Sequence, residues 1–431
     1  MKIAAVGDAI IGRRIPETFA GYGEIAPIVL DADARFFNLE TTLHNEGECY
    51  ASETSGGTYL RTDPAVLDDL MAFGFNMTSF NNNHVTDYGI PGLLKTLEHV
   101  EKSGLVHAGV GRNLGEAAAP KYLDTEKGRV AIISVNSTLM GEMTAGEQTS
   151  RIKGRPGINP IRVDRHIELA EDDFNAIKAV IDKTGINIQR NIEKSEGYHG
   201  GLSNTSESFG GLTLISGEET RLVQKIKAQD LTRVKKSIDE AKLCADYIMI
   251  SMHSHEMGGK EKEEPADFLV DFAHFCIDSG ANAVVGHGPH LLRPIEIYKG
   301  SPIFYSLGDF VLQLYNVEFA PQEMYDMYGM VGNEGVNELL AKRSKNFSIG
   351  LMCDHRMFES VIPVWEVDGE GNLTSLELYP ILLSMNGNKS EIGLPRLVTN
   401  ADFLSGFIRR CAAFGTDFDI SDDGVLKLKI K

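Results

Sequence analysis

Short apolar runs, each about the length of a buried strand, alternate with helical patterns along most of this chain. Continuous apolar runs of this length are typical of strands that are buried on both faces of a sheet. Such runs lie at residues 3–6, 35–39, 75–80, 130–135, 247–252 and 281–285. The sequence predicts helices at residues 63–74, 91–104, 164–183, 230–245 and 265–279. This alternation predicts an α/β fold with a largely parallel sheet and crossover helices.

Most of the apolar runs end in side chains that could bind a metal ion. In chain order these residues are Asp8, Glu40, Asn83, His84, His253, His255, His287 and His290. Ligands gather where parallel strands end. Carboxylate, amide and imidazole donors without thiolates suit Mn, Fe, Zn or Mg rather than an iron–sulfur cluster. Two carboxylates and at least three histidines exceed what one ion needs, so the set suits two divalent ions that share a bridging carboxylate.

Length, charge and cysteine content narrow the class of protein further. The chain has 431 residues, enough for one large α/β domain with additions or for two domains. A net charge of −19 argues against nucleic acid and anionic membranes as partners. Five scattered cysteines without a C-x-x-C pair indicate reduced thiols. We therefore expect a cytoplasmic protein without a membrane anchor, whose substrate is a small molecule or peptide, and we leave its oligomeric state open.

The regular pattern weakens between residues 140 and 217. The stretch 195–217 is rich in Gly, Ser, Asn and Thr, and long loops of this kind are often functional covers. We expect a main domain at residues 1–313, with 140–217 as an insertion that covers the site. Residues 314–345 would form a lid or connecting helices. Residues 346–431 would supply C-terminal strands that complete the second sheet, and a tail.

Read together, the motifs at the strand ends resemble those of the CapA family. They are Gly7-Asp8, Asn38-Leu39-Glu40-Thr41, Asn82-Asn83-His84 with Asp87-Tyr88-Gly89, the strand-end His253, Gly286-His287-Gly288-Pro289-His290 and Tyr305-Ser306-Leu307-Gly308-Asp309-Phe310. The family is named for bacterial capsule and poly-γ-glutamate synthesis and has the fold of calcineurin-like metallophosphoesterases. The resemblance implies a metallophosphatase-like sandwich of two mixed β-sheets flanked by helices, here with an insertion and a C-terminal extension.

The resemblance also implies a role for each candidate residue. Asp8 would bind one of two divalent ions (Mn, Fe or Zn), His290 would complete that position, and Glu40 would bridge. Asn83, His253 and His287 would bind the second ion.

His84 would protonate the leaving group, and Arg13 or Arg14 could hold an anionic oxygen. Three positions depart from the family pattern. Ile10 stands where phosphoesterases of this fold carry a histidine, His255 is an additional candidate ligand or acid, and Asp309 stands where the relatives usually have asparagine.

Three hypotheses about function follow from these patterns. The first is a soluble dinuclear hydrolase, in which metal-bound hydroxide attacks a phosphoester or an amide of a glutamate-rich peptide or polymer, with His84 as the acid. The second is a non-hydrolytic acid/base enzyme, such as a peptide epimerase, that uses His84, His255 and Glu40. The third is a non-catalytic accessory protein that binds a γ-glutamyl polymer. In each case we expect the ligand to be anionic.

Overall fold

In a computed structural model of the protein, residues 1–198, 206–399 and 401–429 are described. The strands are β1 Lys2–Ile10, β2 Ala34–Leu39, β3 Thr42–Leu43, β4 Arg61–Thr62, β5 Met77–Ser79, β6 Val106–Ala108, β7 Val110–Gly111, β8 Lys121–Thr125, β9 Gly128–Asn136, β10 Gly157–Ile158, β11 Val163–Leu169, β12 Ser206–Phe209, β13 Leu212–Ser216, β14 Arg221–Ile226, β15 Tyr247–His253, β16 Ala283–His287, β17 Leu292–Tyr298, β18 Ser301–Leu307, β19 Asp309–Leu312, β20 Glu359–Val367, β21 Leu373–Leu383, β22 Pro395–Leu397, β23 Phe418–Ile420 and β24 Leu426–Leu428.

Helices separate most of these strands. They are α1 Ala20–Leu30, α2 Val66–Met71, α3 Gly89–Ser103, α4 Leu114–Ala118, α5 Glu171–Thr184, α6 Ile188–Ser195, α7 Ala228–Lys242, α8 Asp267–Ser279, α9 Gln322–Met327, α10 Val336–Arg343 and α11 Leu404–Ala413. Short 3-10 helices lie at Leu314–Asn316, Leu351–Cys353 and His355–Phe358. Within the described residues, no helix is both long enough and apolar enough to cross a membrane. The cytoplasmic location stays a prediction.

Two large mixed sheets form the framework of the fold. The first has the order β23-β24-β21-β20-β1-β2-β5-β6, with β19 also beside β1 and β22 also beside β21. The second has the order β17-β18-β16-β15-β9-β8. Strands β1, β2, β5 and β6 run parallel, as do β9, β15, β16 and β18, whereas β20 and β21 join the first sheet antiparallel. The predicted α/β sandwich of two mixed sheets flanked by helices is confirmed.

Apolar side chains on both faces of the first sheet explain the layered arrangement. One buried cluster includes Phe36 of the first sheet, Val285 of the second and Trp365 of β20. The Trp365 indole N–H donates a hydrogen bond of 2.8 Å to the Tyr247 hydroxyl on the second sheet. A separate cluster on the other face of the first sheet includes Leu70 of α2 and Leu97 of α3. The continuous apolar runs therefore reflect strands that are covered on both sides.

A close approach of backbone segments fixes the end of β1. A Cβ atom added at Gly7 would overlap the carbonyl oxygen of Gly308. The backbone N–H of Asp8 donates to that same oxygen at 3.1 Å. Gly308 itself has φ = +71°, a conformation that favours glycine. The two glycines thus allow β1 and β19 to lie side by side where Asp8 and Asp309 begin the site.

Residues 161–231 form a second compact unit. Its sheet has the order β12-β13-β11-β14, and α5 packs on it through a cluster of Leu169, Ile181 and Leu214. The predicted helix at 164–183 is wrong at its start, because residues 163–169 are strand β11 and α5 begins at Glu171. Residues 199–205 of the predicted insertion lie outside the described residues, and its role as a cover stays a prediction.

Candidate metal centre

The carboxyl ends of parallel strands from both sheets bring the predicted donors together. Asp8 lies near the end of β1, and Glu40 directly follows β2. His253 and His287 are the last residues of β15 and β16, where they oppose each other in register. Asp8, Glu40, His253 and His287 are each fully buried. The sequence pattern had suggested this meeting point, because parallel strands present their carboxyl ends at one edge of a sheet.

His253 lies at the centre of the cluster. Its Nδ1 is 2.9 Å from Nδ1 of His287, and its Nε2 is 2.8 Å from Oδ1 of Asn83. The same Nε2 lies 3.9 Å from Oε1 of Glu40. On its other side, His287 Nε2 lies 2.8 Å from the Ser251 hydroxyl. Asn83, His253 and His287, which the resemblance assigned to one ion, are therefore neighbours in the structure.

Asp8 is held in place by two hydrogen bonds. Its Oδ1 accepts from Nδ2 of Asn38 at 2.7 Å, and its Oδ2 accepts from the backbone N–H of Gly288 at 2.7 Å. Gly288 has φ = +120°, and an added Cβ would lie 3.0 Å from the backbone nitrogen of Ser254, so glycine is required there. Burial raises the pKa of Asp8, but the neighbouring His287 ring, whose Nδ1 lies 3.5 Å from Oδ1 of Asp8, lowers it below the ordinary value overall.

Glu40 is the group in this cluster that a bound cation would stabilise most. Within the described residues, neither of its side-chain oxygens has a hydrogen-bond partner, and both are buried. Burial, followed by the negative charges of Asp8 and Asp309, raises the pKa of Glu40 well above its usual range. An unpaired carboxylate in such a place is costly to the fold, and buried charges are normally paired or bound to metals. A divalent cation between these carboxylates would remove the conflict.

His255 and His290 extend the cluster. The His255 ring lies 5.2 Å from the rings of both His253 and His290, measured between centroids. Within the described part of the chain, its buried Nε2 has no hydrogen-bond partner. Burial lowers the pKa values of His253 and His255 well below the usual range. These lowered pKa values favour the neutral rings, and the neutral ring is the form that binds metals.

His290 adopts a left-handed backbone conformation with φ = +60°, which is uncommon for a residue other than glycine. Its Nδ1 lies 3.0 Å from Oδ1 of Asp309. Burial lowers the pKa of His290, but the charge of Asp309 and this hydrogen bond raise it overall.

Three overlapping groups of side chains have ligand atoms close enough to share an ion. They are Asp8 with His253 and His287, Glu40 with His253 and His255, and Asp8 with His290 and Asp309. Within each group the ligand atoms all lie within 4.8 Å of one another. Imidazole and carboxylate donors without thiolates fit Mn, Fe, Zn or Mg. The residues present therefore fit the divalent metal ions expected from the sequence.

His84 lies beside the metal-type donors and has its own carboxylate partner. Its Nδ1 is 2.7 Å from Oδ2 of Asp87, and its Nε2 is 4.0 Å from Oε1 of Glu40. Asp87 also accepts hydrogen bonds from the backbone N–H groups of Leu60 at 2.7 Å and Gly56 at 3.2 Å. This carboxylate therefore fixes both the orientation of the His84 ring and the loop that passes over it.

The two arginines after β1 have different surroundings. Arg14 makes two hydrogen bonds to Asp69, at 2.6 and 2.8 Å, so its guanidinium already has a carboxylate partner. The backbone N–H of Arg13 donates to the side chain of Gln313 at 3.1 Å. Across residues 1–198, 206–399 and 401–429, no carboxylate pairs with the Arg13 guanidinium. Arg13 is therefore the better candidate for contact with an anionic substrate.

Glu256 supports the site but was not predicted from the sequence. Glu256 Oε2 accepts hydrogen bonds from the hydroxyls of Ser137 at 2.8 Å, Thr138 at 3.0 Å and Ser254 at 2.8 Å. This network ties the segment after β15, which carries His255, to the end of β9. No local signal could have found it, because two of the donors are about 120 residues away in the chain.

Fold and site together define a class of protein, an α/β sandwich with a buried imidazole and carboxylate centre suited to divalent metal ions. A family model described as bacterial capsule synthesis protein PGA_cap matches residues 2–314. The chain belongs to this family.

Similar proteins come from several bacteria. The uncharacterized protein y4sH of Sinorhizobium fredii is 30% identical over 440 residues, which cover 99% of this chain and 93% of that protein. The capsule biosynthesis protein CapA of Bacillus anthracis is 21% identical over 318 residues, covering 72% of this chain and 59% of CapA. A probable polyglutamine synthesis accessory protein of Mycobacterium tuberculosis is 26% identical over 286 residues, covering 65% of this chain and 55% of that protein.

Proposed function

We propose that this protein is a divalent-metal-dependent hydrolase that cleaves a phosphoester, or an amide of a glutamate-rich peptide or polymer. The observation that carries this proposal is the environment of Glu40, whose buried carboxylate has no hydrogen-bond partner among the described residues and lies beside Asp8, His253 and His84. An arrangement of this kind costs stability unless a cation binds there. The names of the Bacillus and Mycobacterium relatives support a substrate related to capsule or to polyglutamine.

The chain offers ligands for two ions. Asp8 and His290 would hold the first, Asn83, His253 and His287 would hold the second, and Glu40 would lie between them. Two divalent ions in this place would supply Lewis acidity that activates water and the scissile group near neutral pH. Because His253 and His255 have lowered pKa values, protons do not compete strongly for these rings.

The chain's own acid is His84 in this proposal. Asp87 accepts from Nδ1 of the ring, so a proton carried at Nε2 faces the cluster, where a leaving group would receive it. A positioned acid of this kind contributes roughly 10²–10⁴-fold in rate. Asp87 would also stabilise the positive charge of the protonated ring. Arg13 would contact an anionic oxygen of the substrate, as a guanidinium without a carboxylate partner can.

Hydrolysis assays with matched histidine variants test this function. Full-length protein would be stripped with chelator, reloaded with Mn²⁺, and assayed with p-nitrophenyl phosphate, bis-p-nitrophenyl phosphate and a poly-γ-glutamate oligomer. We expect no turnover after stripping and recovery with Mn²⁺. His287→Ala should lose bound metal, whereas His84→Ala should retain metal and lose about 10²-fold or more in kcat. His355→Ala is the control, because the His355 side chain is 77% exposed.

Turnover that is unchanged by chelator would contradict the proposal. The name of the Mycobacterium relative favours a second candidate, an accessory protein that binds a glutamate polymer without cleaving it. That candidate predicts equal polymer binding by the wild-type protein and by His287→Ala, with no product from any of the three substrates.

A further inference from the structure

We infer that Asp309 is itself a metal ligand, so that one ion position of this centre is formed by two carboxylates and one imidazole and takes a hard divalent cation such as Mn²⁺ or Mg²⁺. This inference rests on the proposed metal centre and concerns one residue and one ion position within it. The three donors are Asp8, His290 and Asp309, whose ligand atoms all lie within 4.8 Å of one another.

The position of Asp309 follows from the sheet. β1 and β19 are parallel neighbours in which Asp8 and Asp309 are paired in register. Residues paired in this way place their side chains on the same face of the sheet. Asp309 is fully buried, and so is Asp8. The chain therefore puts two carboxylates side by side in an interior location, an arrangement that needs a positive charge to offset it.

The two carboxylate oxygens of Asp309 have different surroundings. This difference indicates that Asp309 is a metal ligand and does more than orient His290. Oδ1 of Asp309 lies 3.0 Å from Nδ1 of His290, and this one contact is enough to fix the imidazole ring. Oδ2 is buried and has no hydrogen-bond partner among the described residues. Buried polar atoms normally have a hydrogen-bond partner, and the contact that orients the ring does not supply one for this oxygen. That oxygen is available to a cation.

The neighbouring part of β1 offers no alternative ligand. Ile10 lies two residues after Asp8 and is the last residue of β1. Its side chain belongs to an apolar cluster that includes Leu291 and Leu312. β1 thus contributes a single donor, and the adjacent β19 contributes the second one. The imidazole-rich group of His253 and His287 with Asp8 is softer, whereas a set dominated by carboxylates suits Mn²⁺ or Mg²⁺ better than Zn²⁺.

Metal titration of an isosteric variant tests the inference. Asp309→Asn keeps an oxygen that can accept from His290 but removes the negative charge. Metal-free full-length protein and variant would be titrated calorimetrically with Mn²⁺, and separately with Zn²⁺. We expect the wild-type chain to bind two Mn²⁺ ions. The variant should bind one Mn²⁺ ion, and its affinity for the other should be at least about 100-fold lower. The dissociation constant of the tightest Zn²⁺ site should differ less than about threefold between the variant and the wild type. Asp278→Asn removes a carboxylate that pairs with Lys299 at the surface and is the matched control.

The outcomes distinguish this inference from the proposed function. Two Mn²⁺ bound by Asp309→Asn with wild-type affinity would overturn the inference, and metal-dependent hydrolysis could still stand. A wild-type protein that binds no divalent ion would overturn both. Circular dichroism would check that the variant is folded. Asp309→Ser, a second variant, should show the same loss of one Mn²⁺, and retention of two in that folded variant would equally overturn the inference.

Discussion

Replacing Glu40 with glutamine is expected to stabilise the metal-free protein and to weaken its stabilisation by metal. The Glu40 carboxylate is fully buried, and neither oxygen has a hydrogen-bond partner among the described residues. Glutamine has nearly the same shape but no charge, and its amide can donate to the neighbouring carboxylates. The substitution therefore removes an electrostatic conflict from the metal-free state, and it would remove the proposed bridging ligand from the metal-bound state.

The size of the effect follows from the raised pKa of Glu40. Burial, and then the charges of Asp8 and Asp309, place this pKa well above the ordinary 4.5. Above pH 4.5 the folded metal-free protein therefore binds more protons at Glu40 than the unfolded chain does. The contribution of this group to stability is complete below pH 4.5 and is lost as pH rises towards the folded pKa, by up to about 1.4 kcal/mol per pH unit. The glutamine variant has no ionisable group at this position and avoids this loss.

Urea unfolding of chelator-treated proteins at about pH 5, 6 and 7 would measure this difference by linear extrapolation. The free energy of unfolding of Glu40→Gln minus that of the wild type should be positive and should grow with pH. Mn²⁺ at about 100 times its Kd should add about 2.7 kcal/mol to the wild type and clearly less to the variant. Glu370→Gln, at an exposed turn, is the control. A variant that is less stable than the wild type without metal at pH 7 would refute the reasoning.

Three further substitutions probe the groups around the centre. Asp87→Asn should lower kcat about 10²-fold without changing metal content measured by elemental analysis, since Asp87 orients His84. Gly56→Ala should weaken Mn²⁺ binding about 10-fold or more in a calorimetric titration, because its Cβ would lie 2.5 Å from Nδ2 of Asn83, a proposed metal ligand. Gly57→Ala should not, because its added Cβ would come no nearer than 3.9 Å, to the His84 ring. Glu256→Gln should weaken Mn²⁺ binding about 10–100-fold in the same titration, because the substitution loosens the three hydroxyl contacts of Glu256. Unchanged Mn²⁺ affinity would contradict a supporting role of Glu256.

The sequence predicted the part of the site that depends on strand ends. Glu40 and His253 are far apart in the chain, but each follows or ends a buried parallel strand, so their proximity could be expected from the fold class. The helix predicted at residues 164–183 included most of residues 163–169, which form strand β11. Its apolar residues Val163, Ile167 and Leu169 in fact follow a period of two and pair with β13 and β14.

Contacts that join distant side chains could not be predicted. The sequence did not distinguish Arg13 from Arg14 as the residue that contacts an anionic substrate. The structure favours Arg13, because Arg14 pairs with Asp69, which lies 55 residues further along the chain. The hydroxyl network of Glu256 depends on Ser137 and Thr138, the two residues that directly follow β9. Patterns in sequence report which face of a strand or helix is buried, whereas these contacts depend on loops whose paths are set by the whole fold.

Anomalous diffraction from crystals of the Mn²⁺-loaded protein tests most directly whether the strand-end cluster is a two-metal centre. Two anomalous peaks, about 3.5–4 Å apart as in two-metal hydrolytic sites, are predicted among Asp8, Glu40, His253 and His287. Glu40 should contact both ions. Crystals grown with excess Mn²⁺ that show no anomalous peak within reach of these side chains would contradict it.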